Sequence, residues 1–173
     1  MKKIFTLTVL MICCIITYAQ KEIVENIVSI DLPKDMEKLN KQDKSLYFKN
    51  HKNTRLIAGD KFNGLTYKFG DILFQINADS GKLENDHVER AKMAQDNLNS
   101  QIPGQKYSSE LKTINKNKIA LFTTEKPEYN YYRIIATNET NNKIIVARME
   151  YKKEDEIKAK KILDYFLKNL KFK

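Results

Sequence analysis

Three rhythms of apolar and polar residues run along the chain. Near the start, Ile4 to Ile16 is an apolar run of 13 residues interrupted only by Thr6 and Thr8. Further on, short stretches rich in β-branched and aromatic residues read as strands. Ile27-Val28-Ser29-Ile30-Asp31-Leu32 is the first of these and stops at Pro33, which cannot donate to a ladder. Leu46-Tyr47-Phe48 and Leu56-Ile57-Ala58 are shorter candidates, and the Lys-rich residues 34–45 between them and the first strand read as a short helix or turn around Met36 and Leu39. Residues 64–69 and 71–78 form a predicted hairpin around Gly70, with Ile72, Phe74 and Ile76 on an apolar face opposite Leu73, Gln75 and Asn77. Four more strands are predicted over 107–114, 119–124, 129–137 and 143–151, joined by polar turns at 115–118 and 138–142.

The third rhythm is helical. After a predicted loop at 77–85, Val88, Ala91, Ala94 or Gln95, Leu98 and Ile102 recur at helical spacing. Asp86 and Glu89 stand where a capping box would open this helix, and Pro103-Gly104 stops it. A second helix is predicted over 155–170, with Ile157, Ile162, Leu163, Phe166, Leu167 and Leu170 as its apolar stripe. Acids at 154–156 and Lys168 and Lys171 at the far end suit the helix dipole. Strands, a helix, an antiparallel meander and a final helix give the α+β class, a largely antiparallel sheet packed with helices.

The opening run has a different meaning. Lys2 and Lys3 precede it, and Thr17-Tyr18-Ala19 follows with small residues at 17 and 19. This is the three-part pattern of a secretory signal, and the run is too short to span a membrane. Cleavage after Ala19 is expected, leaving residues 20–173 as one domain that works in the periplasm or outside the cell. Cleavage also removes Cys13 and Cys14, the only cysteines. A zinc ribbon or disulfide scaffold is therefore excluded from the mature domain, and stability must come from a core. Nothing in residues 20–173 reads as a linker or a repeat.

The Ile30-Asp31-Leu32-Pro33 opening, the middle helix running into Ile102-Pro103-Gly104, and the closing helix with its tail Leu163–Phe172 together resemble PsbP-like and DcrB-like domains. The resemblance covers nearly all of residues 24–172 by pattern. Lys34-Asp35-Met36 stands where these families often carry Gly-Trp. The resemblance implies an α/β/α sandwich and a role in binding or assembly; it implies no catalytic residue.

Composition and chemistry narrow the function without naming it. With 42% hydrophobic and 31% charged residues the chain is no disordered tail. The formal charge is +9, and loss of Lys2 and Lys3 lowers it by two. The lysines are interleaved with acids along the chain, so a solvated surface in weak contact with an anionic envelope is expected, with no nucleic acid as partner. No Gly-x-Ser-x-Gly elbow or phosphate-cradling glycine loop is present. His51, His87, Asp86 and Glu89 could supply metal ligands, but Asp86 is better explained as a cap and His87 as a first-turn residue. Asn77, Asp79 and Glu84 lack the glycine a calcium loop needs at its sixth position. No metal and no cofactor are therefore expected.

The aromatic segment Tyr129-Asn130-Tyr131-Tyr132-Arg133 is the candidate binding site. On a strand, Tyr129, Tyr131 and Arg133 share one face and Tyr132 and Ile134 the other. If the second face is core, the first is an exposed amphipathic patch of the composition favoured in binding, unless a helix covers it. The leading expectation is a non-enzymatic exported domain that binds another envelope protein. The alternatives are a small hydrolase using paired carboxylates, which requires two acids of raised pKa in one pocket, or a protein that binds an anionic surface through its lysines.

Overall fold

The computed structural model describes residues 19–50, 56 and 62–173. The apolar run, both cysteines and most of the expected signal sequence lie outside the described residues, as do residues 57–58 of one short strand candidate and His51. Among the described residues ten strands form: β1 (Ala19–Val24), β2 (Val28–Pro33), β3 (Glu37–Lys38), β4 (Leu65–Phe69), β5 (Ile72–Ser80), β6 (Lys106–Ile114), β7 (Asn117–Glu125), β8 (Asn130–Thr137), β9 (Lys143–Tyr151) and β10 (Lys171–Phe172). The helices are α1 (Lys41–Asn50), α2 (His87–Ser100) and α3 (Glu156–Asn169).

Seven strands form one antiparallel sheet in the order β3-β4-β5-β9-β8-β7-β6. A second sheet has the order β1-β2-β10. The main core fills the space between them. From the large sheet it takes Phe74, Ile76, Ile119, Leu121, Tyr132, Ile134, Ala147, Met149 and Tyr151; from β2 Val28, Ile30 and Leu32; from α3 Ile162, Leu163, Phe166 and Leu167. Phe166 meets Phe74 edge to face with centroids 5.0 Å apart, a preferred aromatic geometry. The opposite face of the large sheet carries two smaller clusters. Leu39, Leu56, Leu73 and Tyr131 pack with Tyr47 and Phe48 of α1, and Val88 and Ala91 of α2 pack on Ala120, Phe122 and Ile135. Helices thus lie on both faces, and the α+β sandwich expected from the sequence is the observed architecture.

Several local expectations are corrected. Leu46-Tyr47-Phe48 is not a strand but part of α1, with Tyr47 and Phe48 half-buried against one cluster and Leu46 exposed. In a strand the two aromatics would face opposite ways, yet a core lies on only one side of them. Residues 34–45 hold a turn and β3 before α1 begins at Lys41. The expected loop at 77–85 begins inside β5, where Asn77 pairs with Val146 and Asp79 with Ile144; it is no calcium loop. Leu73 and Gln75 are fully buried, so both faces of β5 are covered over that stretch. β1 was not anticipated; its Glu25-Asn26 turn has positive φ at both residues and folds it back onto β2.

The capping box is also corrected. Asp86 makes no side-chain cap, its carboxylate facing Arg90 at 3.5 Å, and Glu89 pairs with Lys118 at 3.2 Å. Ile157 is 72% exposed, because helical spacing sets it on the face opposite Ala159, Ile162, Leu163 and Phe166. Leu98 and Ile102 are exposed as well. Polar residues take the sheet-facing positions of α2 in their place, for a reason that lies in the pocket beneath.

Candidate functional site

Alternation on the central strands sets the floor of this pocket. On the α2 side, β8 presents Tyr131 and Arg133, β9 presents Arg148 and Glu150, and β7 presents Phe122 and Thr124. The antiparallel register places Arg133 directly opposite Arg148. Side chains so paired have Cβ atoms about 5 Å apart, and like charges there destabilise a sheet. Gln75 on β5 and Phe122 on β7 flank the two arginines in the same row. A cavity of about 330 Å³ opens over them, lined by Gln95, Tyr107, Phe122, Thr124, Tyr131, Arg133 and Arg148.

The roof is built by α2. Its sheet-facing positions begin apolar with Val88 and Ala91, then turn polar with Gln95, Asp96 and Asn99. Gln95 Oε1 accepts from Arg133 Nη1 at 2.6 Å. Asp96 Oδ1 accepts from the Tyr107 hydroxyl at 2.6 Å and the Ser109 hydroxyl at 2.7 Å, and its Oδ2 from Lys92 Nζ at 2.5 Å. Burial alone would push this carboxyl up. The bonds from Lys92, Tyr107 and Ser109 outweigh that and hold it down at about 2. Asp96 therefore clamps α2 to β6 beside the cavity. Buried Asn99 caps the polar stretch, donating to the Gln95 carbonyl and accepting from Gln105.

The electrostatics of the floor differ from those of the rest of the molecule. The chain has four arginines, Arg55, Arg90, Arg133 and Arg148, among 31 basic residues. Surface lysines are matched locally, as in Lys38–Glu22, Lys106–Glu125, Lys116–Glu139 and Lys152–Asp71. Among the described residues no carboxylate ion-pairs with Arg133 or Arg148, and the buried Nε of Arg133 has no hydrogen-bond partner. Burial pulls the Arg133 pKa down; the Tyr131 hydroxyl opposes this and the facing Arg148 charge adds to it. The buried Glu150 carboxylate lies two residues from Arg148 on the same face and diagonal to Arg133, outside the cavity lining, so the cavity holds two guanidiniums and no carboxylate of its own.

Of the three residues singled out by sequence, Tyr131 and Arg133 share this pocket, while Tyr129 precedes β8 and does not line it. Of the two readings of this strand face, exposed patch or helix-covered, the structure has the covered one: Tyr131 is only 9% exposed, packed in the cluster beneath α1, and Arg133 is partly covered by α2. Sequence reasoning missed Arg148, and placed Gln95 only as an alternative on the helix stripe, not in the site. Counting four residues outward from the Thr137–Ile144 pair beside the β8–β9 turn reaches Arg133 and Arg148 together, a signal available from the hairpin pattern. No residue of the lining is a carboxylate, histidine or cysteine. The Glu89 and Asp96 carboxyls are both held below the usual carboxylate range, Glu89 by its backbone bond and Lys118, Asp96 by Lys92, Tyr107 and Ser109. Among the described residues no three His, Cys, Asp or Glu side chains gather into a metal-binding group.

The order of elements and the sandwich can be set beside known structures. The cyanobacterial PsbP of Synechocystis sp. PCC 6803, solved in solution, matches with a TM-score of 0.57 over 91% of this chain and 94% of its own, at 10% identity. This chain has a PsbP-like fold. A crystal structure from Bacteroides thetaiotaomicron matches with a TM-score of 0.55 at 12% identity over 91% of this chain. This chain spans about half the length of that protein, 49%. No family model matches the sequence, and no curated protein matches it. At such identities the PsbP-like likeness is one of fold, and function has to come from the site.

Proposed function

We propose that the chain is an exported, non-catalytic binding domain of the bacterial cell envelope, and that Tyr131 and Arg133 make its contact through the pocket under α2. The observation that carries this reading is the opposed Arg133–Arg148 pair, a destabilising arrangement kept in a cavity of ligand-accepting size. A lining without carboxylate, histidine or cysteine supports binding over hydrolysis. The Lys2-Lys3 start, the apolar run and the small residues at 17 and 19 support export. Removal at Ala19 leaves β1 with all but its first residue, so the small sheet survives processing. No helix among the described residues is long and apolar enough to cross a membrane. The partner is another envelope component, and the lysines contribute only weak, salt-sensitive attraction to an anionic surface.

The test expresses the full precursor with a C-terminal tag in a bacterial host. Fractionation and mass spectrometry are expected to recover an extracytoplasmic product beginning at Gln20; retention of the whole precursor in the cytoplasm overturns export. The exported product is then used to capture partners from envelope extract at low and high salt, beside Arg133→Gln. A partner kept at high salt by the wild type and lost by the variant supports the pocket as the contact. Capture that salt abolishes and the variant leaves intact replaces it with diffuse lysine attraction.

A further inference from the structure

Beyond the general binding role, and resting on it, the chemistry of the pocket specifies its ligand. We propose that the cavity over Arg133 and Arg148 binds a phosphate monoester. Two guanidiniums face each other across neighbouring strands, and the buried Glu150 beside them does not line the cavity. A carboxylate ligand has two oxygens, enough for one guanidinium fork, whereas the three terminal oxygens of a phosphate monoester can engage both. Guanidinium forks match phosphate oxygens in bidentate geometry, and the partnerless, buried Nε of Arg133 is a donor already stripped of water. Gln95 holds the other end of that fork at Nη1, fixing the plane in which Nε points. The buried Thr124 supplies a neutral hydroxyl in the same lining.

The remainder of the cavity addresses the organic part. Phe122, Tyr107 and Tyr131 provide aromatic surface around the two cations, so the ester carries a ring or an apolar-faced sugar. A free metabolite and a lipid headgroup can both present such a group, and the shared chemistry is the phosphate monoester itself.

Phenyl phosphate is the probe, with inorganic phosphate, benzoate and benzyl alcohol as comparisons, titrated by calorimetry and by amide NMR at low and physiological salt. Phenyl phosphate is expected to bind best, to shift β8 and β9 amides, and to raise the thermal midpoint. Arg148→Gln and Arg133→Gln are each expected to weaken it about 10- to 100-fold. Arg148→Gln removes a like-charge contact, so its ligand-free thermal midpoint is expected to equal or exceed the wild type's, which separates lost binding from lost folding. Vesicles containing phosphatidic acid form a second arm: Arg148-dependent co-sedimentation assigns the phosphate to a lipid, and binding of the small ester alone assigns it to a soluble ligand. Equal affinity for benzoate and phenyl phosphate, no binding of either, or full binding by Arg148→Gln overturns the proposal. If partner capture still depends on Arg133 while phenyl phosphate fails, the phosphate assignment falls and the binding role stands. If capture is independent of Arg133 while phenyl phosphate binds, the reverse holds.

Discussion

Replacing Asp96 by Asn imitates the protonated acid in shape while removing its charge, and isolates what the clamp between α2 and β6 contributes. The folded carboxyl sits at about 2, against about 3.9 for an unfolded chain. A folded value below the unfolded one means that ionised Asp96 stabilises the fold above pH 4, and that this stabilisation fades as pH falls through 2. The full difference corresponds to about 2.5 kcal/mol. The side chain is 33% exposed, so solvent screening leaves about 1–1.5 kcal/mol. Urea unfolding followed by circular dichroism at pH 7, 5, 4 and 3 measures it. The wild type is expected to exceed Asp96→Asn by that amount at pH 7, equivalent to about 2–6 °C in Tm, and by about half of it at pH 3. A gap that stays constant from pH 7 to 3, or one absent at pH 7, would refute the view that charge-assisted bonds from Lys92, Tyr107 and Ser109 hold the helix down.

Other expectations follow from packing and backbone. Phe166→Ala empties a fully buried position against Phe74 and should cost about 3–5 kcal/mol in chemical unfolding, while Ile157→Ala on the same helix should stay within about 0.5 kcal/mol. Gly64→Ala would bring its methyl within 2.3 Å of the Ile76 carbonyl oxygen and 2.5 Å of the Phe62 ring, and should lower stability by about 1–3 kcal/mol by the same assay. Lys116→Gly should raise it by about 0.5–1 kcal/mol. The two-residue β6–β7 turn has φ of 52° at Asn115 and 67° at Lys116, a geometry that favours glycine, and the exposed Lys116–Glu139 pair lost with it contributes little.

The strands of the meander were legible because each combined β-branched or aromatic residues with flanking turn residues, and their hairpin order admitted few alternatives. The α3 stripe was legible from Ile162 onward because a single continuous core faces it. The middle helix was harder. Its pattern ran Val88, Ala91, Ala94 or Gln95, Leu98, Ile102, yet the positions that meet the sheet are Val88, Ala91, Gln95, Asp96 and Asn99, because the sheet under its second half carries arginines and hydroxyls rather than methyl groups. Periodicity alone selects the wrong face where a buried surface is polar. α1 was unreadable for a related reason: Tyr47 and Phe48 sit among lysines and polar residues, and only the neighbouring cluster around Leu73 and Tyr131 shows which way they turn. The binding face was legible as far as Tyr131 and Arg133. Arg148 needed the hairpin register, and Gln95 needed the tertiary contact.

The small sheet carries a consequence for the order in which the molecule can assemble. β10 pairs Lys171 with Ser29 and Phe172 with Val28, and α3 lays Phe166 and Leu167 into the core beside β2. The second edge of β2 therefore waits, during synthesis, for a segment made more than a hundred residues later. Until residues 156–172 emerge, the core between the two sheets lacks Ile162, Leu163, Phe166 and Leu167, and β2 is paired on the β1 side alone. Under the proposed export, this long-range fastening acts as a timer: the latch that completes the fold is the last part of the core to cross the membrane.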